Sequence, residues 1–242
     1  MNPSVNLPQY NMMNIPIPYT LKADDGIVIV LLCCFFLFAY VLSKAKKYLW
    51  QQGNNFILHK KRSSIFSSST TIEVHCMLLL VLQACILAGI CFFSYFDNAS
   101  PSLSQHAHPY LLLGIYTGVC LIYIILKWFI YSLLGWVFFG RGITNMWLES
   151  YSTIIYYLGF VLFPFVLFLV YFDLNASVVV IIGLGLVVLA KSLILYKWLK
   201  FFFNNIYGLL LLILYFCALE IIPCIIYYQV LVKINSLLLL NT

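Results

Sequence analysis

Charge is what this sequence has least of. Acidic and basic side chains make up 8% of its 242 residues, against 64% hydrophobic. A water-soluble domain needs a largely polar exterior, and this chain has too few polar residues to build one. No polar stretch is long enough to form a separate soluble domain either, so the chain reads as a polytopic membrane protein. Signatures of several catalytic classes are also missing. There is no HExxH of a membrane zinc protease, no Gly-x-Ser-x-Gly elbow and no GxxxxGK[ST] phosphate loop. The glycine pair at Gly183 lacks the aspartate of an intramembrane aspartyl protease, and no aspartate-rich pair suggests magnesium-bound diphosphate. No histidine lies deep in an apolar run to ligate haem, and His106 with His108 is too small a set for a stable metal site. The eight cysteines fall within apolar segments without CxxC spacing, so they read as small buried residues, not as disulfides or zinc ligands. No cofactor and no metal are expected. The net charge of +6 is not gathered into a basic patch with accessible polar surface, so nucleic acid is not an expected partner.

What is present is length and apolarity in repeated runs. A membrane helix needs about 20 apolar residues. Six runs qualify: Gly26 to Ser43, Val74 to Phe96, Tyr110 to Lys127, Ser150 to Phe172, Ser177 to Tyr196, and Ile206 to Val230. The expected fold is therefore all-α, with a membrane domain over residues 26–232. Residues 1–25 lack a basic start followed by an apolar core and read as an irregular extracytoplasmic segment, not a signal peptide. Residues 233–242 read as a short tail. Basic residues gather after the first, third and fifth runs (Lys44 to Arg62, Arg141, and Lys197 with Lys200), while Asp24, Asp25, Asp97 and Asp173 lie on the opposite side. The positive-inside rule then places both termini outside.

Lysine beside tryptophan recurs at the ends of these runs, as ILKWF and LYKWLK. An ammonium that snorkels to water beside an indole among headgroups marks a membrane boundary. On that reading Lys127 ends the third span and WFIYSLLGWVFFG forms an interfacial segment after it; the alternative is a longer, tilted span with Lys127 as a charge inside it. Thr70 with Glu73 fits a capping box, and Asn145 fits a cap that puts Glu149 in the first turn of the fourth helix. Pro164 and Pro223 fit as breaks within spans, which neighbouring helices make tolerable. The segment Lys44 to Thr71 mixes basic and aromatic residues. It suits either the surface of an anionic bilayer or a protein partner.

Three stretches together, KWFIYSLLGW (Lys127 to Trp136), MWLESY…LGFVLFPF (Met146 to Phe165) and YFCALEIIP (Tyr215 to Pro223), resemble a family of integral membrane proteins typical of Bacteroidota, catalogued as domain of unknown function 4271. The resemblance runs from about Gly26 to Val232. It implies a bacterial inner-membrane location and recommends Lys127, Gly135, Trp136, Trp147, Glu149, Tyr151, Pro164, Glu220 and Pro223. It implies no mechanism.

The residue that most needs an explanation is Glu220. A carboxylate within the bilayer is costly and normally faces the bundle interior, paired or wetted. It shares a helical stripe with Cys217, Cys224 and Tyr227 or Tyr228. The expected partner is Lys191, about 9 Å inside the Lys197–Trp198 boundary at 1.5 Å per residue. Counting from Ile206 puts Glu220 about 21 Å deep, which leaves an axial gap of about 12 Å for side chains or a bridging group to close. Arg141, Trp147, Glu149 and Tyr151 form a second candidate group at the cytoplasmic end, with Arg141 near Glu149. Three functional classes follow. The first is a non-enzymatic component that binds the bilayer and another membrane or envelope protein. The second is a small proton- or ion-coupled transporter built around Glu220. The third is an enzyme acting on lipid or a lipid-linked substrate.

Overall fold

The computed structural model describes residues 24–58, 71–99, 108–138, 141–172, 176–202 and 217–240. Among them are six helices long and apolar enough to cross a membrane, and no strand. Hydrocarbon offers no partner for backbone N–H and C=O groups, so apolar runs of this length close their hydrogen bonds within the segment. The helices are α1 (Asp25–Leu58), α2 (Thr71–Ala99), α3 (Pro109–Phe138), α4 (Arg141–Tyr171) and α5 (Ala176–Phe202). The sixth, α6 (Ile222–Leu240), follows directly on a π-helical turn, Cys217–Ile221. The start of α1 is capped by Asp24, whose carboxylate accepts from the Gly26 N–H at 2.9 Å. Pro109 opens α3 at a position where the missing N–H costs nothing.

The helices alternate in direction. At one end, the Asp24 face, the Tyr110 hydroxyl donates to Asp24 at 2.6 Å, and Ile27, Phe93, Leu112 and Leu169 share one core cluster. At the other end, the Lys197 face, Lys197 donates to the Phe56 carbonyl, and Tyr131, Trp147 and Ile194 share a second cluster. The most enclosed helices are α2 and α4, each with half of its span window buried. They approach closely where Gly159 faces Ala84. A Cβ at Gly159 would lie 3.2 Å from that of Ala84, which is the small-residue contact typical of membrane helices.

Four boundaries differ from the sequence expectation. Helix α1 continues to Leu58, well past Ser43. The interfacial segment expected after Lys127 is not a separate element, because α3 runs unbroken for 30 residues. That is about 45 Å of helix against a hydrocarbon core of about 30 Å, an excess that tilt of the span or an end beyond the apolar layer accommodates. Helix α4 begins at Arg141, so Asn145 lies inside it as an exposed residue and does not cap it. Glu149 then falls in the third turn, outside the reach of the helix dipole. Helix α6 carries on to Leu240, through the stretch read as a tail. Thr70, His106 and the basic stretch 59–70 lie outside the described residues, as do the side chains of Arg141 and Glu73.

Candidate functional site

Glu220 enters the bundle through an irregularity in its own helix. It belongs to the five-residue π-turn Cys217–Ile221, and Pro223 follows in the first turn of α6. Proline has no N–H to donate and is tolerated early in an α-helix, so the regular helix begins around it. A π-turn adds one residue to a turn and rotates the side chains on either side, a device often found at functional sites. Here it turns the carboxylate inward: Glu220 is 2% exposed, while its neighbours Ile221 and Ile222 are about half exposed.

Two ammonium groups meet that carboxylate on one oxygen. Lys127 of α3 and Lys191 of α5 both donate to Glu220 Oε2. Their side chains are 4% and 24% exposed. The second oxygen, Oε1, is buried and has no partner among the described residues. Tyrosines complete the setting of Lys127. Its ammonium donates to the Tyr131 hydroxyl at 3.2 Å and lies 5.3–5.9 Å from the ring centres of Tyr123, Tyr131 and Tyr151. At these distances ring quadrupoles stabilise a cation. Trp147 packs edge-on against Tyr131 at 5.3 Å and Tyr151 does so at 5.1 Å, which fixes the wall of the site.

The expected Lys191–Glu220 pair is thus present, while Ile206, the expected start of the sixth span, lies outside the described residues. Of the residues singled out from sequence, Glu220, Lys191, Lys127, Trp147 and Tyr151 converge, with Pro223 three residues from the carboxylate. Lys127 does not mark a boundary. It lies inside a continuous helix, and its amine turns to Glu220 instead of to water. Glu149 is exposed, and its carbonyl accepts from the Thr153 hydroxyl at 2.7 Å. The side chain of Arg141 lies outside the described residues, and with it the expected Arg141–Glu149 pair. Gly135 backs directly onto Thr144 at the α3–α4 turn, where any side chain would collide. Tyr123 and Tyr131 went unremarked in the sequence, although their spacing of four residues on either side of Lys127 puts all three on one face of a helix.

No group of three or more metal-ligating His, Cys, Asp or Glu side chains occurs among the described residues. What the site can do is hold charge and exchange protons. One carboxylate cannot balance two ammonium groups, so the cluster carries an excess positive charge whenever all three are ionised.

A family model described as Domain of unknown function (DUF4271) matches residues 27–231. That is most of the chain, and the chain belongs to this family. No curated protein and no solved structure matches it.

Proposed function

We propose that this member of the DUF4271 family is a small proton- or ion-coupled membrane transporter whose exchange site is Glu220, held between Lys127 and Lys191. One observation carries this reading: a buried lysine and a partly buried one converge on one carboxylate oxygen. A pair that merely tied two helices together would need one of each charge. A third charge inside hydrocarbon is expensive, and such residues commonly mark ion paths and proton relays. Loss of one proton from either lysine makes the cluster neutral, and its return restores the charge. The site therefore has two states one proton apart, and a substrate or conformation can favour one of them.

In this reading the protein sits in a bacterial inner membrane with both termini outside and the Lys197 face toward the cytoplasm. Lys191 lies six residues before Lys197, so the cluster is about 9 Å inside that face. The competing role, a component that binds another membrane or envelope protein through the aromatic-basic segment near Lys44 to Thr71, is favoured by no particular observation among the described residues. The reading as a lipid enzyme rests on Arg141, whose side chain lies outside the described residues, and on Glu149, which is exposed.

Purified protein in liposomes adsorbed on a solid-supported membrane tests the proposal without a known substrate. A pH step should displace charge transiently in the wild type. Glu220→Gln, checked for monodispersity, should move the transient to a different pH, because the two lysines lose their shared counter-charge. A wild type without a transient, or one unchanged by Glu220→Gln, overturns the proposal.

A further inference from the structure

The cluster stands at one end of a longer polar seam. On α3, Tyr116, Cys120, Tyr123, Lys127 and Tyr131 recur at steps of four and three residues, which is one face of a helix. Along the π-turn and α6, Glu220, Cys224, Tyr227, Leu231 and Asn235 recur at the same steps. The two faces meet antiparallel, rung by rung. Lys127 meets Glu220. The Tyr123 hydroxyl lies 3.3 Å from the Cys224 sulfur, and its ring is 4.9 Å from that of Tyr227. The Tyr227 hydroxyl lies beside the Cys120 thiol without a full hydrogen bond. Tyr116 donates to Asn235 Oδ1 at 2.7 Å with both residues buried. Asp97 of α2 lies within electrostatic reach of Tyr116, and Phe96 stacks on the Tyr116 ring at 5.7 Å.

Two positions on the two stripes cannot pass a proton, Leu231 and the amide of Asn235. Leu231, fully buried, falls between Tyr227 and Asn235 and joins the apolar cluster of Leu87, Ile90 and Leu112. It separates two groups of hydroxyls and thiols that otherwise lie in file. From Lys127 to Tyr116 the file spans 11 residues, about 17 Å along α3. Membrane helices seldom line a contact with this many polar side chains, because each must find a partner in a medium that offers none.

We infer that the α3–α6 seam is a proton path between the Glu220 cluster and a second exchange site, Tyr116 beside Asp97 with Asn235 as its hydrogen-bond acceptor, and that Leu231 closes it in this structure. The inference rests on the proton-exchange reading above. Each hydroxyl or thiol takes a proton from the neighbour on one side as it releases its own to the neighbour on the other, so no charge is left within the file. The groups that face the inner end are Lys191 from α5, Tyr151 from α4 and Cys85 from α2, beside the α3 and α6 residues already named. The conducting step is the displacement of Leu231, which lets water or the two flanking hydroxyls bridge the gap.

Two measurements in proteoliposomes test this. Under a potassium diffusion potential set with valinomycin, Leu231→Ser should raise dissipative proton flux at least tenfold over wild type, and Leu231→Ser with Glu220→Gln should return it to the wild-type level. Leu231→Met, which keeps the plug, should leave it unchanged. Tyr123→Phe, which removes one hydroxyl and little volume, should slow the pH-step transient at least tenfold without reducing its total charge. A wild-type transient with Tyr123→Phe kinetics unchanged, or with a folded Leu231→Ser that does not leak, overturns the path and leaves the exchange site standing. Absence of the wild-type transient overturns the exchange site itself.

Discussion

Neutralising the three charged residues one at a time should produce a steep and specific ranking of stability. Glu220→Gln keeps the size of the side chain but leaves Lys127 and Lys191 facing one another with no counter-charge. Lys127 has the least escape, at 4% exposed. Stranding one partner of a buried ion pair costs about 3–5 kcal/mol, and for a chain of this size that lowers the melting temperature by about 10 °C. Lys127→Met should be far milder. It preserves most of the packed stem and leaves Lys191 paired with Glu220 in a neutral pair. Its losses are one hydrogen bond to Tyr131, about 1 kcal/mol, and the ring–cation attraction, up to about 2 kcal/mol. Relief of a buried charge offsets them, so the net change should stay within about 2 kcal/mol. Lys127→Met combined with Glu220→Gln leaves only Lys191, which is 24% exposed and can extend toward water. The double variant should therefore be more stable than Glu220→Gln alone. Thermal unfolding in mild detergent, followed by tryptophan fluorescence, reads the whole cycle. If Lys127→Met costs as much as Glu220→Gln, or the double variant is the sum of the singles, the charges are not coupled and the reasoning fails.

Other outcomes follow from single contacts. Gln83 is 1% exposed and neither of its amide atoms has a partner among the described residues, so Gln83→Leu should hold or raise the melting temperature, whereas a drop would reveal an unseen polar partner. Gly135→Ala should lower it by driving a methyl into Thr144, and Thr144→Ala should recover part of the loss if that contact is the cause. Tyr116→Phe removes the 2.7 Å bond to buried Asn235 and should cost about 1–2 kcal/mol, with Asn235→Leu on top of it restoring stability. Reporter fusions after Arg62, Arg141 and Lys200 should read cytoplasmic and those after Asn98 and Asn175 external; one reversal breaks the orientation.

The six spans were legible because apolar run length is a direct consequence of bilayer thickness. Their ends were not. Helix α1 runs on through lysines and glutamines, and α3 continues through ILKWF, because a helix started in the membrane loses nothing by extending past it into headgroups and water. That same continuation hid Lys127. Beside Trp128 it carries the marks of a boundary residue, and only the enclosing tyrosines and Glu220 show that it points inward. Measured from the Asp24 face, Lys127 lies 18 residues into α3 and Lys191 15 residues into α5, while Glu220 precedes the end of α6 by 20. At 1.5 Å per residue these are about 27, 23 and 30 Å, near enough for long side chains to meet, but the count needs helix ends that apolarity alone does not supply. The Lys191–Glu220 pair was legible because the cost of a lone buried carboxylate demands a cation and few were in range. Glu149 misled because its apparent place in a first turn depended on a cap at Asn145 that the longer helix removes.

The most direct test of two states one proton apart is to count the proton. Purified protein in lightly buffered nanodiscs, titrated with an indicator dye, should exchange one proton per chain in a step that Glu220→Gln moves to a different pH, because the counter-charge of the two lysines is gone, and that Lys127→Met removes. Titration curves that coincide for wild type and Glu220→Gln would contradict the account.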